Sequence, residues 1–226
     1  MSKKILIVCA HPDDEVLGCF GTVAKLINKG YEAYTLILGE GKTSRDEKRV
    51  VEDKKNEIAI LNIEIQKANN IIGIKKVFVE SFADNRFDSV DLLDIVKVVT
   101  KVKEIVQPDI IFTHYEHDLN IDHQLTYKAV ITATRPMEHE CVKEIYSFEI
   151  LSSTEWNYPL SFSPDTYFDI SDTIDLKIAS MKEYESELYK YPHPRSLEGI
   201  KLNAQYQGMR VGKKYVEAFK TIRNIK

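Results

Sequence analysis

Ile5-Leu6-Ile7-Val8-Cys9-Ala10, followed at once by His11-Pro12-Asp13-Asp14-Glu15, is the stretch on which the reading of the fold turns. Six apolar residues in an unbroken run, three of them β-branched, lack the alternation of a half-exposed strand and suit a strand buried on both faces of a parallel sheet. Pro12 steers His11 toward an extended backbone, and the three acids that follow occupy the start of a helix, where carboxylates meet unpaired N–H groups. From Glu15 to Lys29, Val16, Phe20, Val23 and Ile27 fall at spacings of 4, 3 and 4, one helical face, and Gly30 supplies a C-terminal stop.

Outward from this unit the pattern repeats. Tyr34–Leu38 reads as a second strand, and Ser44 and Asp46 can cap a helix striped by Val51, Ile58, Leu61, Ile65, Ala68 and Ile72. Lys76–Glu80 is a third strand, Val90–Val106 a helix, and Pro108 separates that helix from a fourth strand, Ile110-Ile111-Phe112-Thr113. A helix over Asp122–Thr134 follows. Ile145–Leu151 and Thr166–Ile170 extend the sheet, and helices over Thr173–Leu188 and Leu197–Gln207 finish the chain. Alternation of strand and helix implies right-handed crossovers, hence a Rossmann-like three-layer α/β fold with a mostly parallel sheet and helices on both faces. With no repeat, low-complexity stretch or linker, residues 1–226 read as a single domain, a common length for α/β folds.

Composition excludes more than it names. The 31 Lys and Arg against 35 Asp and Glu give a net charge of −4, and 43% hydrophobic residues suit a globular chain rather than a disordered or collagenous one. A mildly acidic chain without a basic run lacks the electrostatic footprint of a nucleic-acid partner. The N-terminal apolar run is too short for a signal peptide, and no segment approaches the length of a membrane span. Cys9, Cys19 and Cys141 are odd in number and without CxxC spacing, so neither a disulfide framework nor a four-cysteine zinc site is expected, and a reducing cytoplasm fits best.

In open parallel sheets ligands bind beyond the carboxyl ends of the strands, where the strand order reverses. After strand one comes His11-Pro12-Asp13-Asp14-Glu15; after strand four comes His114-Tyr115-Glu116-His117-Asp118-Leu119-Asn120-Ile121-Asp122-His123. The first loop alone is equally well explained as a helix cap. The second concentrates imidazole and carboxylate that a structural loop does not require, and a metal would neutralise them. Zinc takes three such protein ligands and keeps a fourth position for water. His11, Asp14 and His123 can supply that set for one Zn2+ per chain, leaving Asp13 as a general base. A calcium loop beginning Asp118-x-Asn120-x-Asp122 fails, since its sixth position is His123 instead of glycine and its twelfth is Ala129 instead of glutamate. No nucleophile elbow, phosphate-binding loop or dinucleotide fingerprint is present.

At these residues the chain resembles the PIG-L/LmbE-like family of zinc-dependent deacetylases of N-acetylated amino sugars. Ala10-His11-Pro12-Asp13-Asp14-Glu15 matches its first signature and Asp122-His123 its second. Ser152-Ser153-Thr154-Glu155-Trp156, Pro192-His193-Pro194-Arg195-Ser196 and Tyr215-Val216-Glu217-Ala218-Phe219 are similar to segments of one bacterial branch, so the likeness covers nearly the whole chain. The resemblance implies zinc on His11, Asp14 and His123, Asp13 as base, an N-acetylated sugar or glycoconjugate as the small-molecule partner, and assembly into a homo-oligomer. It departs at Asn120, where several members have a histidine thought to stabilise the oxyanion. An asparagine amide can donate a hydrogen bond there but cannot give up a proton, and His193 or a protonated Asp13 could supply the acid.

Asp122 either orients a neighbour by hydrogen bonding or caps the helix that begins at His123. Arg45, Arg86, Arg135 and Arg195 lie near the ends of βα units; Arg86 and Arg195 are the stronger candidates for an anionic substrate group, with Arg45 and His193 beside them. His117 and His139 are read as bystanders, and His114, which starts the second loop, either as a bystander or as a support for the metal ligands. Trp156 and Tyr158 either stack on a sugar or pack. Two alternatives stay open: a different zinc amide or ester hydrolase, and a non-catalytic metal-binding α/β domain.

Overall fold

The computed structural model describes residues 2–43 and 54–226. Strand β1, Lys4–Cys9, is followed by helix α1, Asp14–Ile27; β2, Glu32–Gly39; α2, Lys55–Ile72; β3, Lys76–Phe82; α3, Leu92–Val106; β4, Ile110–His114; and α4, Ile121–Ala133. Then come β5, Glu144–Phe148; β6, Thr166–Asp169; α5, Ile174–Lys182; α6, Leu197–Met209; and β7, Val216–Asn224. One sheet runs in the order β3-β2-β1-β4-β5-β7-β6, with β1 to β5 parallel. Among the described residues no helix is long and apolar enough to cross a membrane.

The unbroken apolar run of β1 is explained by two cores. Ile5, Ile7 and Cys9 join the cluster under α1, α2, α5 and α6, with Phe20, Ile65, Ile178 and Ile200. Leu6, Val8 and Ala10 join the opposite cluster under α3 and α4, with Val99, Val102 and Val130. Alternate side chains of a strand point to opposite faces, so a strand with helices on both sides must be apolar at every position. Helix α1 is buried nearly all round. A Cβ on its Gly18 would lie 2.5 Å from the Phe148 ring, so only glycine permits this approach to β5.

Two sequence expectations are corrected. No strand is expected after Gln207, yet β7 inserts antiparallel between β5 and β6. Its signal is obscured by Glu217, a charge at the second position of the strand. That carboxylate is buried and accepts bonds from Gly21 N at 3.0 Å, Thr22 N at 2.6 Å and Lys177 Nζ at 2.5 Å. Lys177 and Glu217 are 4% and 5% exposed, so breaking the pair strands a charge in the core. Lys177→Met is expected to lower the unfolding free energy by about 3–5 kcal/mol in denaturant titration. The helix expected over Thr173–Leu188 ends instead at Lys182, because Tyr184 turns inward to full burial and a short 3-10 turn, Glu185–Glu187, follows. Ser44, Arg45, Asp46 and Val51 lie outside the described residues.

Candidate metal centre and its pocket

The strand order reverses between β1 and β4, and the loops after these two strands face each other there. His11 leaves the end of β1, Asp14 opens α1, and His123 sits in the first turn of α4. His11 Nδ1 lies 3.3 Å from His123 Nε2 and 3.5 Å from Asp14 Oδ2, and the third edge, His123 Nε2 to Asp14 Oδ2, is 3.4 Å. This near-equilateral triangle fits a tetrahedral ion, because donors held about 2.0–2.1 Å from its centre are about 3.3–3.4 Å apart. Asp14 Oδ1 is buried without a hydrogen-bond partner, a polar atom that a cation would satisfy.

The other ring nitrogen of His11 points at carboxylates: Nε2 is 3.0 Å from Asp122 Oδ2 and 3.2 Å from Asp84 Oδ1. His11, Asp84 and Asp122 are a second group close enough to hold a cation. One imidazole with Nδ1 committed to an ion carries its proton on Nε2, so these acids suit the outer support that fixes a ligand's tautomer. Asp122 is pinned in turn, its Oδ1 accepting from Phe87 N at 2.9 Å. Of the two sequence readings of Asp122, the helix cap is corrected: Asn120 caps α4, its Oδ1 accepting from Asp122 N at 2.8 Å. The Asn120 amide meanwhile donates to Asn85 Oδ1 at 2.8 Å.

His123 is held by Asp118, whose Oδ1 lies 3.0 Å from Nδ1. Asp118 is fixed by Asn120 N at 2.8 Å and by the hydroxyls of Ser153 and Thr154. Burial works against its charge, but His123 and these hydrogen bonds outweigh it and draw its carboxyl down to about 2. Burial likewise opposes a charge on His123, yet Asp14 and Asp118 hold its imidazole up at about 9. His114 stacks on His123 with ring centroids 4.0 Å apart and accepts from Ala10 N at 2.9 Å. Burial, reinforced by His123, pushes His114 down to about 4, so it stays neutral. If Asp118 orients a metal ligand, Asp118→Ala is expected to weaken zinc binding about 10- to 100-fold, read by competition with a chelating dye.

Asp13 lies just before α1 with φ of 93°, a left-handed conformation rare outside glycine and often kept at functional sites. Its N–H donates to Glu15 Oε2 at 3.1 Å. Glu15 also receives Asn69 Nδ2 at 3.0 Å and the Tyr184 hydroxyl, and its burial raises its carboxyl to about 7 against these bonds. Asp13 Oδ2 accepts from Arg195 Nη1 at 3.0 Å. Burial drives the Asp13 carboxyl up and Arg195 opposes it, the net direction being upward. Arg195 Nε donates to Ser152 Oγ at 2.8 Å and approaches Leu151 O at 3.3 Å. The arginine expected to meet a substrate anion thus grips the candidate base.

His11, Asp13, Asp84, Asn120, Glu187 and Arg195 contribute to the wall of a cavity of about 380 Å³. Arg86 is exposed and absent from this wall. His193 is also outside it, stacked on Tyr189 with centroids 4.0 Å apart and accepting Arg195 N at 3.1 Å. Arg45 lies outside the described residues. Sequence reasoning gave no role to Asp84 or Asn69 and read Glu15 only as part of a helix start. Only Asp84 carried a usable signal, as an acid beyond the carboxyl end of a parallel strand.

Fold and site together define a class: parallel α/β proteins that gather histidine and carboxylate at the switch point beside a polar cavity. Residues 6–134 match the PIG-L family model, described as GlcNAc-PI de-N-acetylase, and the chain belongs to that family. Among curated proteins it is 25% identical over 232 residues to a diacetylchitobiose deacetylase of Thermococcus kodakarensis, covering 99% of this chain and 84% of that one. It is 26% identical over 189 residues to a probable N-acetyl-alpha-D-glucosaminyl L-malate deacetylase 2 of Bacillus cereus, covering 83% and 84%. The N,N'-diacetylchitobiose deacetylase structure from Pyrococcus horikoshii superposes with a TM-score of 0.76 at 22% identity, over 98% of this chain and 84% of that one. The curated relatives are thus named as deacetylases of N-acetylated sugars and their conjugates.

Proposed function

We propose that this protein is a zinc-dependent hydrolase that removes the acetyl group from an N-acetylated amino sugar or its conjugate, with Asp13 as the general base. The observation that carries the reading is the triangle of His11 Nδ1, Asp14 Oδ2 and His123 Nε2, with edges of 3.3 to 3.5 Å, at a cavity that Asp13 also lines. A zinc ion held there would supply Lewis-acid polarisation of an acetamide carbonyl and a lowered pKa for water.

The chain's own groups do the rest. Asp13 takes the proton of the attacking water and returns it to the departing amine, a double role that a carboxyl raised by burial can fill. Arg195 fixes the Asp13 carboxylate through Oδ2, leaving the other oxygen for the proton. Asn120 spends one of its two amide hydrogens on Asn85 Oδ1 and keeps the other for an oxyanion, and His193, outside the cavity wall, is the weaker candidate for the acid. A cavity of about 380 Å³ is within the range of small-molecule sites.

Metal analysis followed by assay of free amine from N-acetylated sugars, in free, nucleotide-linked and glycoside- or lipid-linked forms, tests this reading. One zinc per chain and amine from at least one substrate are expected. A zinc-loaded protein that releases amine from none would sink it.

A further inference from the structure

Asp13 is clamped on both sides of its backbone. On the helix side its carbonyl accepts from Val16 N at 3.0 Å and Leu17 N at 2.9 Å, the first bonds of α1. On the other side its N–H donates to Glu15 Oε2 at 3.1 Å. Between the two clamps lies the φ of 93°, a conformation that a residue with a side chain keeps only where its surroundings impose it.

The carboxylate at the second clamp has more partners than one N–H requires. Glu15 Oε1 accepts from Asn69 Nδ2 at 3.0 Å and from the Tyr184 hydroxyl. These donors come from α2 and from the turn after α5, 54 and 169 residues away in the chain. Asn69 is itself oriented: its Oδ1 accepts from Thr35 Oγ1 at 2.8 Å and its Nδ2 also donates to Ile65 O at 2.9 Å, so the amide nitrogen is the end that faces Glu15. Glu15, Asn69 and Tyr184 are 0%, 1% and 0% exposed, and none of the three belongs to the cavity wall. A helix start needs only a local side-chain oxygen to meet its N–H groups. Here two distant elements fix the carboxylate that fixes Asp13.

We propose that Glu15, held by Asn69 and Tyr184, is the positioning residue of Asp13: by fixing the Asp13 N–H it keeps the left-handed backbone from which the carboxylate lines the cavity and meets Arg195. Rotation about the Asp13 N–Cα bond to an ordinary negative φ would swing Cβ, and with it the carboxylate, away from Arg195 Nη1. A reacting group displaced by about 1 Å can lose about 10²-fold in rate. Tyr184 and Asn69 act one step further back, through Glu15. The inference rests on the reading of Asp13 as the general base.

Two variants test it. Tyr184→Phe removes one hydroxyl and keeps the buried ring, whereas Glu15→Gln leaves a single oxygen that cannot meet donors on both sides. Each is expected to keep one zinc per chain and a KM within about twofold on an N-acetylated sugar, while kcat falls about tenfold in Tyr184→Phe and about 10²-fold in Glu15→Gln. The double variant should be no slower than Glu15→Gln, because Tyr184 acts through Glu15. Amide hydrogen exchange supplies a readout independent of turnover: the Asp13 N–H should exchange about tenfold faster in each variant, with the amides of β1 unchanged. Unaltered Asp13 exchange, an unaltered kcat in Tyr184→Phe, losses that multiply in the double variant, or losses that only track missing zinc would overturn the role. If Glu15→Gln does not fold, exchange and kcat in Tyr184→Phe decide. Release of no amine by the zinc-loaded wild type would instead overturn the deacetylase reading, and the exchange rates would still judge the clamp on Asp13.

Discussion

Asp13→Ala is expected to retain one zinc per chain and to lose about 10²- to 10⁴-fold in kcat on an N-acetylated sugar, the usual contribution of a positioned acid–base group. Asp13 is not one of the three triangle donors, and its carboxylate is held by Arg195. Metal content and turnover should therefore separate. Because the same group takes and returns the proton, KM should change little while kcat falls. Asp13→Asn, which keeps shape and hydrogen bonding but cannot accept the proton, should be nearly as slow. Full activity in either variant would remove Asp13 from the chemistry, and loss of zinc in both would make it part of the metal's coordination.

His123→Ala should have the second large effect, loss of the metal itself. The imidazole supplies one of three triangle corners and lies between two buried acids, Asp14 at 3.4 Å and Asp118 at 3.0 Å. Removing it leaves two donors and two carboxylates without their common partner, a costly arrangement in a buried site. Zinc added to the metal-free wild type should raise Tm, since a ligand that binds only the folded state stabilises it by mass action. The variant should show no such rise and no zinc after dialysis. Retention of one tightly held zinc by His123→Ala would disprove the ligand set.

How far the sequence carries can be judged residue by residue. Strand β1 is legible because both of its faces are covered and every position from Ile5 to Cys9 is apolar; β7 is not, because Glu217 is paid for by Lys177 and two backbone N–H groups that no local pattern reveals. His11, Asp14 and His123 stand out because each falls directly beyond a readable strand or at the start of a readable helix. The cap of α4 is ambiguous because Asn120 and Asp122 are both capping residues, and only the fold decides that Asn120 takes the helix end while Asp122 turns to His11. Arg195 misleads for a different reason. Its type suits an anionic ligand, but the anion it meets is Asp13, 182 residues away in the chain. Asp84 is readable as an acid beyond the end of β3, but nothing local shows that the fold brings its Oδ1 within 3.2 Å of His11 Nε2.

The pairing of β1 with β4 has a practical consequence. Val8 lies opposite Thr113 in the parallel register, one residue before His114 and three before His11. A slip of one residue would turn each side chain of the moved strand to the other face and carry His114 away from Ala10 N. Zinc stoichiometry then becomes a gauge of strand registration: a refolded sample with full helix content and substoichiometric metal would be one whose central pair had closed out of step.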